Sequence, residues 1–531
     1  MSDQLSTRTT YVILLVITGA SIALRLVLLG HRIAHWDEAR IAVQILHFTR
    51  TGTYSYDPLF HGPFIFHADD LAFKLFGVSD FTMRLPMAII GGSLPLAAWL
   101  YRDYLDRGEL TCLALLLAAN PILVHYSRFA RSDILVATFM FTALGLLLRT
   151  YHTGHTRYVV GSAVMLALGT TTKENFLLYL GAWFATGLIL SALRYRQYSE
   201  RNGLLVLTRR WRESWSREWA RKLSLAAFAF LLVVLELYLP RNVSQPSLWS
   251  LVLAPENVGE ILTVGLISPA QTGFSYWVLG TGHVVHSYLG FLVLLIGLLL
   301  AGGAATLGLA SWTIRDAWTD RQIVRFAAIW AGLSVIGYPY STDLMSAWIA
   351  LHVLIPLTIP AAIGMARLAR SAVGHNSRRT DIGFAAVIAY LGIALLLTSF
   401  VAPGAIYNPL AQPSQMPTQA RPAMHTIESQ PTGRGVDVGY VGSYWANWNH
   451  RLPLPWYIAQ ANASSIQVDS TVGLSDRRPA VLVTTRSSRT RVESAFPRYK
   501  CHTYTRIPWV DFRPTGPRQR AVICTKSGST D

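Results

Sequence analysis

The sequence predicts a mainly α-helical, multi-pass membrane bundle of about eleven transmembrane helices with a small C-terminal α/β domain. The 531 residues are 52% hydrophobic and only 14% charged, whereas soluble proteins carry about 25% charged residues. The apolar residues form runs close to the roughly 20 residues that cross a bilayer. After residue 401 this pattern gives way to Pro-rich chain and then to short strand-like runs.

The apolar runs define a transmembrane domain over residues 1–401. The first run begins at Tyr11 and reaches Gly30, and no small-residue cleavage site follows it, so we expect a retained span and not a signal peptide. The other candidate spans are 86–101, 110–127, 133–148, 158–172, 176–193, 223–240, 287–311, 324–340, 346–366 and 383–401.

Lys and Arg concentrate in alternate loops, and this asymmetry predicts the orientation. The loop at 194–222 alone holds nine of them, whereas the opposite loops collect acidic residues. Cytoplasmic loops carry the excess of Lys and Arg. We therefore expect a plasma-membrane protein with a cytoplasmic N-terminus and an extracytoplasmic C-terminal domain. The net charge of +17 is then explained by the Lys and Arg of the cytoplasmic loops, and we expect no nucleic-acid partner.

Two regions lie outside the predicted spans. The outer loop 31–85 is too long for a simple connection, and its aromatic and His residues favour short helices on the membrane surface. The tail 402–531 carries strand-like runs at Val436–Val441, Ala480–Thr485 and Arg520–Cys524. Cys501 and Cys524 lie in this tail and can pair in an oxidising compartment. Three cysteines exclude a disulfide scaffold or a zinc finger.

The motif His35–Glu38 directly follows the first span and places two adjacent carboxylates, Asp37 and Glu38, at the membrane surface. We expect the apolar surroundings to raise the pKa of one of these carboxylates, which can then serve as a general base toward a hydroxyl. Carboxylate oxygens also bind divalent cations. The alternative is two ordinary loop acids that begin a helix.

A second motif, Tyr56–Pro63, combines Tyr56, Asp57 and His61 with turn residues. Loops punctuated by Pro and Gly give rigid linings for polar pockets. The alternative is that these side chains sit at the level of the lipid headgroups.

A third motif lies in the outer turn at Ser127–Asp133. Arg128 and Arg131 are three residues apart and would point the same way on a helical turn. Arginine binds phosphate oxygens with two parallel hydrogen bonds, and positive charge in an outer loop runs against the topology bias. The competing account is a structural ion pair with Asp133.

Lys173 and Glu174 follow in the next outer turn, where Lys173 can bind an anionic headgroup or simply pair with Glu174. A divalent metal site is an open alternative at Glu38, His61, His283 and His286, although a His pair three residues apart is weak support. Further candidates in the tenth span are Asp343, Trp348 and His352.

These motifs resemble the C-type membrane glycosyltransferases of the protein-mannosyltransferase and aminoarabinose-transferase superfamily. The motifs Tyr56–Pro63, Ser127–Asp133 and Lys173–Asn175 are more narrowly similar to a prokaryotic branch known in archaea as flippase-activity-associated proteins of N-glycosylation. The resemblance implies inverting transfer from a polyprenyl-phosphate-linked sugar, with Asp37 at the catalytic position and Glu38 completing the acidic pair. One departure is Gly62-Pro63 after His61, where the superfamily often has Pro-Pro.

Two functions follow from these features. The first is a glycosyltransferase on the extracytoplasmic face, with Asp37 as base and with Arg128, Arg131 and Lys173 holding the lipid phosphate. Its partners would be a polyprenyl-phosphate sugar donor, the bilayer, and a glycan, lipid or protein acceptor. The alternative is a flippase or flippase-associated transporter that moves a lipid-linked sugar without bond chemistry. Polar groups gathered at one face favour the transferase, because a flippase needs them along the whole path.

Overall fold

The computed structural model describes residues 6–197, 217–241, 247–277, 287–342, 345–374, 378–429, 436–474, 477–506 and 520–526. Its longer helices are Thr7–Leu26, Trp36–Thr51, Phe64–Phe76, Arg107–Ala119, Asp133–Thr153, Thr156–Thr170, Phe176–Gln197, Arg217–Tyr238, Tyr288–Ala317, Gln322–Ser341, Ile349–Val373 and Arg378–Leu396. Its shorter helices are Leu85–Ser93, Pro121–Ser127, Ser250–Leu253, Val258–Leu262, Ser268–Trp277, Arg421–Ser429, Trp448–Arg451, Leu454–Gln460 and Arg489–Ala495.

The multi-pass helical fold predicted from the sequence is confirmed. In the described part of the chain, eight helices are long and apolar enough to cross a membrane. A ninth is added if Arg107–Ala119 and Pro121–Ser127, which meet at 51°, form one broken span. Thr156–Thr170 and Arg217–Tyr238 occupy the two remaining predicted spans; the first has 15 residues, fewer than the roughly 20 that a perpendicular crossing needs.

The helix Ile349–Val373 is the centre of the bundle, and every residue of its apolar, membrane-length stretch is buried. It packs against Tyr288–Ala317, Gln322–Ser341 and Arg107–Ala119. Gly364 permits a close approach to Tyr288–Ala317, because a Cβ there would lie 2.8 Å from the carbonyl oxygen of Leu309. A helix that is apolar all round is expected at such a buried position.

The predicted cytoplasmic loops meet at one end of the bundle. Arg321 binds Glu109 at 2.6 Å, Arg370 binds Asp106 at 2.6 Å, and Arg149 contacts Asp103. The first helix starts at this end, since Arg107 donates to the hydroxyl of Thr7 at 3.4 Å. The chain that follows its C-terminus, including the motif His35–Glu38, therefore lies at the opposite end.

The C-terminal domain contains one five-stranded sheet. Its strands are β1 Val438–Val441, β2 Ser465–Val468, β3 Val481–Thr484, β4 Tyr499–Thr505 and β5 Arg520–Lys526. They are ordered β2-β1-β3-β5-β4, with β1 parallel to β2 and β3, and with β5 antiparallel to β3 and β4. A disulfide joins Cys501 to Cys524 across β4 and β5. Strands lie at the three predicted runs, whereas β2 and β4 were not predicted.

This domain docks beside the first outer loop, on the side of the bundle opposite the basic loops. Buried Asp80 accepts hydrogen bonds from the indole of Trp456 at 2.7 Å and the hydroxyl of Tyr457 at 2.9 Å, and it pairs with Arg421 at 2.5 Å. The connecting chain at 402–420 is held against the bundle, where the hydroxyl of Tyr126 donates to Leu410 at 2.9 Å.

Candidate active site

Asp37 stands in the first turn of the helix Trp36–Thr51, whose start is fixed by its neighbours. His35 is the N-cap: its Nδ1 accepts from the backbone N–H of Asp37 at 3.0 Å, while Glu38 accepts from the backbone N–H of His35 at 2.8 Å. This is a capping box with histidine in place of Ser or Thr. The other ring nitrogen of His35, Nε2, donates to the carbonyl of Pro413 at 2.6 Å.

The two bonds of His35 define its charge. Because Nδ1 accepts and Nε2 donates, the ring is the neutral tautomer. Burial lowers the pKa of His35, which agrees with this assignment. The separation of 3.7 Å between Nδ1 and Oδ2 of Asp37 is therefore a close approach and not an ion pair, and the carboxylate of Asp37 needs another cation.

Arg131 supplies that cation, since its Nη1 contacts Oδ2 of Asp37. Burial alone would raise the pKa of Asp37, but the guanidinium of Arg131 and other nearby cationic groups outweigh it, so the pKa lies below the usual value. The raised pKa expected from the apolar surroundings is therefore wrong for Asp37. Asp37 remains 9% exposed. It is thus an ionised carboxylate with a small opening toward its surroundings, as a general base requires.

Asp133 connects three further side chains of the site. Its Oδ1 accepts from Nζ of Lys173 at 2.8 Å and from Nε2 of His352 at 3.2 Å. Its Oδ2 lies 3.4 Å from Nε of Arg131. Asp133 and Asp37 therefore hold Arg131 from two sides, and Lys173 is brought to the same cluster.

His352 is fully buried behind Asp133, and Nδ1 of its ring accepts from the hydroxyl of Tyr179 at 2.8 Å. The ring of Tyr338 stacks on it with centroids 4.7 Å apart. Trp348, one turn earlier, lies under both cations: its ring centroid is 3.7 Å from the guanidinium carbon of Arg131 and 5.5 Å from Nζ of Lys173. Such contacts orient cations and add about 0.5–2 kcal/mol each.

His61 joins the cluster from the motif Tyr56–Pro63. Its Nε2 lies 3.5 Å from Nη2 of Arg131, and its Nδ1 lies 3.1 Å from the carboxylate of Glu174. Its φ of +66° is unusual for a residue with a side chain. The loop that contains His61 is bound to the turn Thr171–Asn175. Gly62 N–H donates to the carbonyl of Thr172 at 3.0 Å, and Phe64 N–H donates to that of Thr171 at 2.8 Å.

Gly62 explains the departure from the Pro-Pro pattern. A Cβ at this position would lie 2.2 Å from the carbonyl oxygen of Thr171, far inside van der Waals contact. Only glycine lets the two loops approach this closely. His61 and Glu174 are therefore positioned by a backbone contact that the residue after the histidine permits.

Glu38 has a structural environment quite unlike that of Asp37. Its two oxygens accept from Arg32 at 2.7 Å, twice from Arg84 at 2.8 Å, from the N–H of Ala130 at 2.8 Å, and from His35. It is completely buried. Burial would raise the pKa of Glu38, but Arg32 and Arg84 outweigh burial and hold it well below the usual value. All its accepting positions are used, which leaves none for a metal or a substrate.

Arg128 does not join Arg131. Its guanidinium donates to carbonyls in the last turn of the first helix and just after it, at 2.9 Å to Arg25 and 3.2 Å to Leu28, and lies 4.5 Å from the ring centroid of Phe400. The helix Pro121–Ser127 ends before both arginines, so the three-residue spacing does not give them a common direction. Arg128 and Arg131 therefore contact different groups, and the common direction expected from their spacing is not found.

Two other predicted residues, Tyr56 and Asp57, lie outside this cluster. The ring of Tyr56 packs edge-on against Tyr238 at 4.7 Å, and Asp57 caps the short turn Pro58–Phe60 by accepting from Leu59 at 2.9 Å. His283, His286 and Asp343 lie outside the described residues. Within the described residues no group of three or more His, Cys, Asp or Glu side chains is arranged to hold a metal ion.

Sequence reasoning missed the residues that support the site. Arg32 and Arg84 bind Glu38, and Tyr179 orients His352. The only signal for Arg84 was a lone charge at the start of an apolar run, where a charge is costly unless it is paired. Tyr179 gave no signal, because a tyrosine in a membrane span is ordinary.

Two family models match parts of this chain. Residues 60–235 match the family of dolichyl-phosphate-mannose-protein mannosyltransferases, and residues 420–512 match the Agl23 flippase-associated protein C-terminal domain. ArnT from Cupriavidus metallidurans, in its structure bound to undecaprenyl phosphate, is 15% identical with a TM-score of 0.58, over 97% of this chain and 98% of that chain. The fold is that of the C-type membrane glycosyltransferases.

Two further solved structures are similar to this chain. ArnT in its apo state is 13% identical over 98% of both chains, also with a TM-score of 0.58. The oligosaccharyltransferase AglB from Archaeoglobus fulgidus is 14% identical over 92% of this chain and 70% of that chain, with a TM-score of 0.48. No curated protein matches the sequence. The resemblance to the C-type glycosyltransferase superfamily, with its flippase-associated branch, is confirmed.

Proposed function

We propose that this protein transfers a sugar from a polyprenyl-phosphate-linked donor to an acceptor hydroxyl on the extracytoplasmic face, with Asp37 as general base. The observation that carries the proposal is the contact between Asp37 and Arg131 at one end of the bundle, with Lys173 joined to Arg131 through Asp133. A base beside cations is what displacement of a phosphate requires. The names of the matched family and of the ArnT complex both refer to polyprenyl phosphates.

The bond changes are those of a single displacement. The acceptor oxygen attacks the anomeric carbon of the sugar, and Asp37 takes the proton from that oxygen. The bond between the anomeric carbon and the phosphate oxygen breaks, and the phosphate leaves with the electron pair. Arg131 and Lys173 stabilise the developing negative charge, and the configuration at the anomeric carbon is inverted because attack and departure occur on opposite faces.

Arg131 also adjusts the strength of the base. Without donor, its contact with Asp37 keeps the pKa of that carboxyl low, which makes Asp37 a weak base. A donor phosphate that draws Arg131 toward itself would loosen this contact and let burial raise the basicity of Asp37. In this proposal, donor binding and base activation are coupled through one guanidinium group, and Asp133 keeps Arg131 within reach of both.

Two features support an extracytoplasmic location for the site. It lies at the end of the bundle opposite the basic loops, which are cytoplasmic by the positive-inside rule. The disulfide between Cys501 and Cys524 lies in the domain that docks at the same end as the site, and disulfides persist in oxidising compartments.

The experiment supplies purified protein with a polyprenyl-phospho-sugar and candidate acceptors, and measures release of polyprenyl phosphate. We expect Asp37→Asn to lower turnover by at least about 10²-fold, the low end of what a general base contributes, with donor binding nearly unchanged. Asp469→Asn is the matched control, because Asp469 is exposed in the C-terminal domain. Full turnover by Asp37→Asn would remove Asp37 from the mechanism.

Lipid translocation without chemistry is the competing function, and the match of residues 420–512 to a flippase-associated domain is the observation in its favour. The same preparation in vesicles separates the two. Movement of labelled donor lipid across the bilayer with no release of polyprenyl phosphate, under any acceptor tried, would establish translocation and contradict the transferase.

A further inference from the structure

A separate cavity lies beside Arg128, whereas Arg131 of the same turn contacts Asp37. Its volume is about 110 Å³, enough for roughly three or four waters or one phosphate group. The polar and aromatic residues of its lining are His31, Arg32, His125, Arg128, Ser399 and Phe400. Neither Asp37 nor Arg131 lines it.

Arginines outnumber carboxylates around this cavity. Arg32 and Arg84 share the single carboxylate of Glu38. Arg25 and Arg128 donate to backbone carbonyls and, for Arg25, to the hydroxyl of Ser21. The two arginines that line the cavity, Arg32 and Arg128, therefore have only the carboxylate of Glu38 between them, and Arg84 already shares it.

This imbalance favours an anion. Buried charge is costly without a counter-ion, and carbonyls at a helix end offset only about half a unit charge. The environment affects Arg128 directly: burial, together with the charges of Arg84 and Arg32, lowers its pKa to about 10. An anion in the cavity would relieve this repulsion.

The cavity also contains a polar group that lacks a partner. Ser399 is 1% exposed and lines the cavity, and its hydroxyl has no hydrogen-bond partner among the described residues. It belongs to the π-helical turn Leu397–Val401 that ends the last span, beside Phe400 over Arg128. Such π-helical turns occur frequently at functional sites.

The cavity adjoins a wider groove of about 350 Å³, with which it shares His31, Phe400 and Pro403. The apolar part of this groove is formed by Val401, Ile406 and Tyr407, which are 63%, 65% and 77% exposed. Its polar part is formed by Gln415, Thr418, Gln419 and Thr505. The apolar residues follow directly after the last span, at the level where lipid headgroups meet acyl chains.

We propose that this cavity binds the phosphate of an anionic lipid, whose chains lie along the apolar part of the groove at the end of the last span. Arg128, Arg32 and the hydroxyl of Ser399 would contact the phosphate oxygens. The site is separate from the cluster around Asp37 and does not depend on the proposed transferase reaction. A free phosphate has the same headgroup chemistry, but it would leave the apolar part of the groove unused.

The test measures lipid binding to the purified full-length protein by native mass spectrometry, with dioleoyl phosphatidic acid, dioleoyl phosphatidylcholine and inorganic phosphate as probes. We expect phosphatidic acid to bind about tenfold more tightly than phosphatidylcholine, a difference of about 1.4 kcal/mol, and also more tightly than inorganic phosphate. Equal affinity for the two lipids would overturn the anion site. Equal affinity for inorganic phosphate and phosphatidic acid would overturn the lipid assignment.

Two variants localise the binding. Arg128→Gln removes the cation, and Ser399→Leu fills the cavity without removing a charge, so it keeps the test valid if Arg128→Gln fails to fold. Both should lower the affinity for phosphatidic acid by at least about fivefold, about 1 kcal/mol. Arg157→Gln, at an exposed arginine in a predicted cytoplasmic loop, should leave it unchanged. An unchanged affinity in Ser399→Leu, or a loss in Arg157→Gln equal to that in Ser399→Leu, would contradict this site.

Discussion

Asp37 and Glu38 are chain neighbours with opposite surroundings. Asp37 has one strong cationic partner and is slightly exposed. Glu38 accepts five hydrogen bonds and is completely buried. A carboxylate whose lone pairs are all used cannot accept a proton from a substrate without losing native bonds. We therefore assign the chemistry to Asp37 and a positioning role to Glu38, which holds the start of the helix and the Arg128–Ser132 turn.

Glu38→Gln should destabilise the protein by about 3–5 kcal/mol, since it leaves Arg32 and Arg84 buried without their counter-ion. The loss should appear as a lower Tm in detergent, and Glu256→Gln, at an exposed glutamate, serves as control. Because the folded-state pKa of Glu38 is held well below its usual value, its contribution is present above about pH 4.3 and is lost as pH falls toward the folded pKa. Equal Tm values for Glu38→Gln and Glu256→Gln would contradict this role.

Arg131→Gln should raise the pKa of Asp37, because the cation that outweighs burial is removed. The reaction needs ionised Asp37, so the acidic limb of the kcat/KM profile should move to higher pH by about one unit or more. Arg50→Gln, at an exposed arginine outside the cluster, should keep the original limb. A profile for Arg131→Gln that falls uniformly, without a shift, would show that Arg131 does not control the base.

The candidate site was partly predictable at this scale. Motif reasoning selected Asp37, Arg131, Asp133 and Lys173, which the fold brings together. It also expected Arg128 to point the same way as Arg131, which is wrong because the helix ends at Ser127 and the guanidinium of Arg128 donates to carbonyls at the end of the first helix. Local spacing predicts direction only inside a regular helix.

At the scale of elements, the site depends on two loops held together by backbone. The loop containing Gly62 is fastened to the turn Thr171–Asn175 by two main-chain hydrogen bonds. These bonds place His61 against Glu174 and Arg131. The same turn carries Lys173, which pairs with Asp133 at the start of the helix Asp133–Thr153.

Gly62→Ala should disrupt this contact, because the added methyl would overlap the carbonyl of Thr171. Overpacking of this kind costs about 1–3 kcal/mol, so we expect a lower Tm together with at least about tenfold less activity if the loop retreats. Gly297→Ala is the control, since a Cβ there meets no atom within 4 Å and alanine is favoured within a helix. Wild-type activity in Gly62→Ala would mean that the loop contact is dispensable.

Element positions were predictable where hydropathy is strong. Helices lie at every predicted span, because about twenty apolar residues in a membrane protein leave few alternatives. The strands β2 and β4 escaped prediction because they lie at the two edges of the sheet. The burial of β2 is partial and that of β4 only roughly alternating, so their sequences lack the continuous apolar run of the central strands.

At the scale of the whole molecule, the C-terminal domain completes the surroundings of the site. The linker supplies the carbonyl of Pro413 to His35 and the side chain of Gln415 to Arg32 at 2.8 Å. The sequence indicated a separate Pro-rich linker and gave no sign of these contacts, since they join residues more than 370 positions apart. Docking through Asp80 sets their geometry.

Asp80→Asn should weaken this docking, because Arg421 loses its carboxylate partner. Hydrogen bonds to charged groups are worth about 1.5–3 kcal/mol, and we expect a loss of this size together with faster proteolysis within residues 402–420. Limited proteolysis followed by mass spectrometry measures the effect, with Asp469→Asn as control. Identical cleavage rates in the two variants would show that protection of the linker does not depend on the Asp80 contact.

We propose for the whole molecule that one end of the bundle holds a base and, beside it, cations for a leaving phosphate. The measurement that tests this most directly is the steady-state kinetics of polyprenyl phosphate release by Asp37→Asn and Lys173→Gln. We predict that Asp37→Asn loses kcat by at least about 10²-fold at nearly constant KM, whereas Lys173→Gln also raises KM for the donor. Wild-type kcat in Asp37→Asn, or no release of polyprenyl phosphate by the unmodified protein with any donor and acceptor, would contradict it.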